Sequence, residues 1–304
     1  MRVILTGASS FIGRATAREL ERAGHEVTKL RHSFEDGQIP LPERADVWIH
    51  FAWAGVGSEG RSDRKIQDYN MEMSFSALKK ATELGCGSFL FAGSQAEYGR
   101  RSEYGRAKAE FGERALSFLE TEKSSGRKLP KYIHMRIFSV YGPGDHESSL
   151  INSCIKSFRS GRPLELGACS QDWNYLYIDD AARAVRALAQ MRAEKTRPET
   201  PETDRVFYDI GSLDTRPLKE YIEELGSVCL NFLSEKGEKK AKESLEDILR
   251  FGKRGDNAEG SANLRPFTEP IMEATGWRPE ISFKEGIWRI LERTEQREAR
   301  NKRD

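Results

Sequence analysis

Tyr104 and Lys108, in the run Tyr-Gly-Arg-Ala-Lys, stand four residues apart, which on a helix places both side chains on one face, one turn from each other. An ammonium that close favours tyrosinate and draws the phenol from its reference pKa of about 10 toward a working pH, as a general acid/base requires. The pair follows an apolar run, Ser88 to Ala92, and the segment Gly93-Ser94-Gln95-Ala96-Glu97-Tyr98-Gly99.

A second cluster lies at the amino end, Thr6-Gly7-Ala8-Ser9-Ser10-Phe11-Ile12-Gly13, between an apolar run and a stretch of good helix formers. Free backbone N–H groups and the helix dipole at such a turn hold a pyrophosphate, and glycines let the backbone come close. The residues expected at a dinucleotide are Gly7, Ser9, Ser10, Phe11, Ile12 and Gly13. Ser10 stands where a glycine is usual; its side chain either crowds the pyrophosphate or donates its hydroxyl to it. In a dinucleotide fold an arginine at the end of the second strand favours the 2′-phosphate of NADP, whereas a carboxylate there accepts from the ribose of NAD. Arg31 holds that position, followed by His32 and Ser33, so NADP(H) is the expected cofactor and NAD(H) the alternative.

These groups need elements to position them. Strand signals cover Arg2 to Leu5, Glu26 to Leu30, Asp46 to Ala52, Ser88 to Ala92 and Tyr132 to Phe138; helix signals cover Ala15 to Ala23, Asp68 to Leu84 and Ser102 to Leu119. Alternating strands and helices, with strands such as Val-Trp-Ile-His-Phe-Ala-Trp nearly apolar throughout, imply an α/β fold, a doubly wound parallel sheet covered on both faces. After Tyr141 the rhythm changes at Pro143, Gly144, Gly161 and Pro163. The expected division is a dinucleotide-binding domain over 1–161, joined by parts of 172–212, and a smaller substrate-binding α/β region over 162–304, interleaved with the first.

The 304 residues are 38% hydrophobic, enough for a large core. With 49 basic and 48 acidic residues the formal charge is +1, so no global field draws nucleic acid. Cys86, Cys154, Cys169 and Cys229 are too scattered for a zinc site or a disulfide framework, and reduced thiols in a cytosol fit best. No run approaches the roughly 18 apolar residues of a membrane span, and Gly7, Ser9 and Ser10 interrupt the first apolar stretch too soon for a signal h-region. A cytoplasmic protein is expected, without metal or membrane.

The ordered blocks resemble one family. His50-Phe51-Ala52-Trp53 is similar to its alanine-rich segment, whose small residues leave room for the cofactor, and Asn70 matches a buried asparagine in the next helix. Arg136 to Asp145, Tyr177 to Ala182, Gly276-Trp277-Arg278-Pro279 and Glu285-Gly286-Ile287 resemble further blocks, so the likeness spans nearly the whole chain. The chain is thus similar to the extended short-chain dehydrogenase/reductases called NAD-dependent epimerase/dehydratases, which act mainly on nucleotide sugars. The resemblance implies Tyr104, Lys108 and Ser94 as catalytic residues; Phe51, Ala52 and Trp53 at the cofactor; a nucleotide-sugar substrate; and a homodimer through the helices over 68–84 and 102–119.

Within that family, sugar 4,6-dehydratases carry an Asp-Glu pair where this chain has Gln95 and Ala96, which disfavours dehydration. Arg31 tilts the choice toward reduction of a keto-sugar with NADPH, with an NAD-dependent 4-epimerase as the alternative; a reductase of a non-sugar carbonyl and a non-catalytic dinucleotide sensor are further alternatives. Gln171-Asp172-Trp173 lacks the arginine that many members aim at the substrate diphosphate, leaving Arg254 or Arg265 as substitutes. His146, in a loop that overlooks the substrate in the family, is a candidate second acid/base, and Gln95, Tyr98 and Tyr141 are candidate substrate neighbours. About fifteen residues between Arg31 and Asp46 are few for the usual strand and acidic turn at adenine.

Overall fold

The apolar run after Met1 forms a strand in the computed structural model, which describes residues 1–31, 40–57, 59–191, 206–236, 244–255 and 264–301. In chain order come β1 (Arg2–Thr6), α1 (Phe11–Arg22), β2 (Glu26–Leu30), β3 (Val47–His50), α2 (Arg64–Glu83), β4 (Ser88–Ser94), α3 (Ala96–Gly99), α4 (Glu103–Glu122) and β5 (Lys131–Ile137). There follow β6 (Ser139–Tyr141), α5 (Leu150–Ser160), β7 (Leu164–Glu165), β8 (Asp172–Tyr177), α6 (Ile178–Gln190) and β9 (Phe207–Ile210). The last elements are β10 (Thr215–Pro217), α7 (Leu218–Glu235), α8 (Leu245–Ile248), β11 (Leu249–Arg250), α9 (Glu269–Thr275) and α10 (Phe283–Asn301).

The chain divides into two compact units. The first comprises 1–138, 179–211 and 266–278; the second comprises 139–178, 212–265 and 279–304. Residues 139–161, expected with the dinucleotide-binding part, thus belong to the second unit: β6 pairs with β8 and not with the large sheet.

The first unit is built on a parallel sheet in the order β2-β1-β3-β4-β5-β9, the expected doubly wound arrangement. Its central strands are largely buried on both faces, as the apolar residues that dominate β3 and β4 require. Strand order reverses at β1, which has β2 on one side and β3 on the other, so a crevice opens at the carboxyl ends of β1 and β3. Among the described residues β2 is the outermost strand on that side.

Helix starts fall where side chains satisfy the first N–H groups. Ser10 caps α1 by accepting from the Gly13 N–H at 3.0 Å, which starts the helix at Phe11, ahead of the expected Ala15. Asp63 caps α2 through the N–H groups of Lys65 (2.9 Å) and Ile66 (3.2 Å), so this helix begins at Arg64, ahead of Asp68. Ser102 caps α4 through the Gly105 N–H.

In the second unit, β8 lies between antiparallel β10 and parallel β6. Tyr141, Tyr175, Tyr221 and Phe283 interlock there, with ring centroids 4.7 to 5.7 Å apart. Asn174, buried, donates to the Ser212 and Asp214 carbonyls and accepts from the Ser212 N–H, fixing the turn before β10. Among the described residues no helix is long and apolar enough to cross a membrane, no cluster of metal-ligating groups occurs, and all four cysteines are buried and unbridged.

Gly93, near the end of β4, leaves room for the buried side chains of His134 on β5 and Glu97 on α3; a Cβ there would overlap both. Gly93→Ala should lower the unfolding free energy by about 2–3 kcal/mol, because the added methyl overpacks the site and disturbs the buried hydrogen bond between His134 and Glu97. Urea denaturation measures it, and an unchanged midpoint would refute this account of the glycine.

Candidate active site

The turn after β1 is shaped by two close approaches. Gly7 has φ +73°, and a Cβ on it would lie 2.6 Å from the backbone of Phe51 and Ala52. Gly13 packs against the Gly7 carbonyl with no room for a side chain. The turn is strapped to both neighbouring strands, Ala8 N–H to the Leu30 carbonyl and Phe51 N–H to the Thr6 carbonyl, each at 3.0 Å. Ser10 folds its hydroxyl oxygen back onto the helix terminus, where it accepts from the Gly13 N–H. Ser9 and Ser10 are exposed, Phe11 and Ile12 half-buried. A glycine turn that opens onto a helix N-terminus is the kind of site that holds a pyrophosphate. Arg31 follows Leu30 at the carboxyl end of β2, exposed; His32 and Ser33 lie outside the described residues.

At the end of β3, His50 is buried between Thr6 and Ser74. Ser74 gives its own proton to the Asn70 carbonyl (2.8 Å), so His50 Nε2 donates to Ser74 Oγ (3.0 Å) and Nδ1 accepts from Thr6 Oγ1 (2.7 Å). Burial, aided by the Lys108 charge, pushes this imidazole down to about 3, so it is neutral. The loop beyond is pinned from α2. Asn70 accepts from the Ala54 N–H (2.8 Å) and donates to the Ala54 carbonyl (2.9 Å). Gln67, fully buried, accepts from the Trp53 indole (2.8 Å) and donates to the Gly60 carbonyl (2.7 Å).

The capped start of α4 presents Tyr104 and Lys108 to this loop. Lys108 is 3% exposed; its ammonium donates to the Ala92 carbonyl of β4 and lies 4.2 Å from the Trp53 ring centroid and 5.2 Å from that of Tyr104. Trp53 and Tyr104 meet edge to face at 6.2 Å. Burial brings the Lys108 ammonium down to about 7; Glu97 pulls it upward and Arg61 adds to the fall. The arrangement can hold a cation beside a phenol in a low-dielectric setting, the requirement for proton transfer at an oxygen.

Ser94 ends β4, its hydroxyl oxygen 3.2 Å from the Ala96 N–H. Its own N–H donates to Glu97 (2.7 Å), which also accepts from His134 Nε2 (2.9 Å) and Arg136 Nε (3.3 Å). Tyr132 reaches the other nitrogen of His134 at 2.9 Å. Burial works against ionisation of Glu97, but the His134 interactions and the Ser94 N–H outweigh it and hold the carboxyl below its ordinary range. Glu97 and His134 were not anticipated as parts of this site. The signal was present: Ser94-Gln-Ala-Glu97 has the spacing of a capping box, serine then glutamate three residues on.

The structure therefore brings together Ser94, Tyr104, Lys108 and Trp53 at the carboxyl ends of β3 and β4, and Gly7, Gly13, Phe51 and Ala52 at the neighbouring turn. Gln95 is buried beside Ser94. Tyr98 exposes its ring, but its hydroxyl donates to Asp209 (2.6 Å), and burial together with that carboxylate pushes the phenol up to about 12. Three candidates lie in the second unit. Tyr141 is 1% exposed and gives its hydroxyl to the Phe283 carbonyl (3.2 Å), so it is a core residue and not a surface a substrate touches. His146 is exposed, with Nδ1 2.9 Å from Ser148 Oγ. Arg265 is paired with Asp172 at 3.1 Å on the surface, the aspartate in the block that lacks the expected arginine.

Residues 3–202 match the model of the NAD dependent epimerase/dehydratase family. A probable UDP-glucuronate 4-epimerase of Rhizobium meliloti is 23% identical, the alignment covering 96% of each chain. Among solved structures, RMD from Pseudomonas aeruginosa complexed with NADPH superposes with a TM-score of 0.72 at 22% identity, over 97% of this chain and 99% of that one. The UDP-glucose 4-epimerase of Thermotoga maritima with UDP-glucose superposes at 0.71 and 18%, over the same shares. With two thirds of the sequence under the family model, this chain is an enzyme of the NAD-dependent epimerase/dehydratase family, in the extended short-chain dehydrogenase/reductase class.

Proposed function

We propose that this enzyme reduces a keto-sugar carried on a nucleotide diphosphate, using NADPH. The observation that carries the reading is the seating of Tyr104 and Lys108 against Trp53 and the Ala92 carbonyl, beside Ser94, at the carboxyl end of the sheet where the glycine turn after β1 also opens. When bound, the reduced nicotinamide supplies the hydride. Tyr104 gives the proton that the nascent alkoxide takes up. Lys108 stabilises the tyrosinate so formed, while Ser94 donates to the developing oxyanion. The pyrophosphate lies at the mouth of the turn, against the first N–H groups of α1 at Phe11 and Ile12, and Arg31 meets the 2′-phosphate.

Reduction is favoured over dehydration by Gln95 and Ala96, which offer no carboxylate next to Ser94. The NADPH held by the Pseudomonas structure supports the cofactor. The kinship with a probable 4-epimerase favours one other reading, recycling of tightly held NAD in epimerisation of a nucleotide sugar. The enzyme acts as a homodimer through α2 and α4, whose exposed Tyr69 suits a partner surface.

A panel of nucleotide-diphosphate keto-sugars and simple ketones, followed by NADPH consumption, tests the reading; turnover of simple ketones alone would overturn the sugar assignment, and interconversion of sugars without NADPH consumption would favour the epimerase. Tyr104→Phe should lower kcat by at least ~100-fold with folding intact, as loss of general acid catalysis requires. Arg31→Ala should reduce the preference for NADPH over NADH by about tenfold, some 1.4 kcal/mol, in kcat/KM. An unchanged preference would remove Arg31 from the cofactor site.

A further inference from the structure

The Tyr104 ring has a second cation on it. Arg61, in the single turn Gly60–Ser62 before α2, places its guanidinium carbon 4.5 Å from the Tyr104 ring centroid. The segment that carries it is tightly specified. Gly55, at φ +66°, crosses Gly60 so closely that neither tolerates a side chain, and the Arg61 N–H donates to the Gly57 carbonyl at 3.0 Å. Gln67 holds the Gly60 carbonyl from below while its other end holds Trp53, the ring against which Tyr104 and Lys108 pack. The same buried amide thus sets both the arginine and the tryptophan relative to the phenol.

We propose that Arg61 is a positioning residue for catalysis, a second and permanently charged cation on Tyr104 that favours its tyrosinate form. The inference rests on the reading of Tyr104 as the acid/base group, and it acts through that ring and not on the substrate. A guanidinium is charged at every working pH, and a phenolate π-system attracts a stacked cation more strongly than a neutral phenol does. Lys108, by contrast, is shut in the interior and drawn down to about 7, in part by Arg61 itself. The two cations divide the work: Lys108 supplies a proton-bearing group that responds to its surroundings, and Arg61 supplies a charge that does not.

The other charged groups near the phenol do not replace it. On α4, Glu103 sits next to Tyr104 but is neutralised by Arg106 and by Arg64 of α2, 3.5 Å away. Arg64 is itself bound to Asp68 at 2.8 Å. From β3, His50 faces Lys108 and is neutral; from α3, Glu97 acts on Lys108.

The tyrosinate absorption of the cofactor-free protein, titrated against pH as the difference between each protein and its Tyr104→Phe partner, isolates the Tyr104 midpoint. Neither substrate nor cofactor enters, so this measurement stands or falls apart from the proposed reaction. Arg61→Gln and Arg61→Met should each raise the midpoint by ~1 pH unit, a tenfold change in the ionisation constant. A midpoint unmoved in both overturns the proposal, whatever happens to the melting temperature; a purely structural loop residue would lower that temperature and leave the midpoint in place. Arg61 is half-exposed, and a folded variant of at least one kind is expected.

Discussion

The first unit is organised around a charge that has no access to water. The Lys108 ammonium is enclosed by α4, β4 and the loop after β3, and burying a cation is costly unless fixed dipoles and rings replace its hydration. Here the replacements are the Ala92 carbonyl and the faces of Trp53 and Phe91, with Glu97 as the counter-charge. Each of these demands something of the fold. A carbonyl must be left for the ammonium near the end of a strand, an indole must be held against it by Gln67, and a carboxylate must be kept ionised in the interior. The environment that draws the ammonium down also makes it responsive to charges around it, a property suited to tuning a neighbouring phenol.

Keeping Glu97 ionised is the second requirement, and β4 and β5 meet it together. His134 and Arg136, on alternate positions of β5, reach the same carboxylate, and glycine at position 93 leaves the space between them. Gly112 on α4 does the same from the helix side, since a Cβ there would press on the His134 ring. The carboxylate then holds the Ser94 N–H, so the end of the strand is tied to the polar cluster beneath it. Proton-transfer chemistry and strand geometry are joined here through one buried side chain.

The two units use different means of cohesion. In the first, parallel strands buried on both faces and capped helices set a crevice between β1 and β3. In the second, an aromatic cluster around Tyr175 and the amide of Asn174 hold a small mixed sheet. Tyr141 illustrates the difference: it lies in a motif the resemblance attaches to the active site, yet its ring and hydroxyl are spent on Phe283.

Read as a linear chain, the sequence already determined the α/β alternation, the glycine turn after β1 and the shared helix face of Tyr104 and Lys108, because each depends on local periodicity, on glycine where φ is positive, or on a four-residue helical repeat. Helix starts were displaced by several residues, since capping by Ser10 and Asp63 overrides where the apolar pattern begins. Only the tertiary structure decided what surrounds the pair. Glu97 acquires its role from His134 and Arg136, thirty-seven and thirty-nine residues on, and Arg61 meets Tyr104 across forty-three positions. The passage of 139–161 into the second unit was likewise decided by pairing of β6 with β8. Charge environment and strand partnership are sums over neighbours distant in sequence; no spacing within one segment encodes them, and packing alone brings those neighbours together.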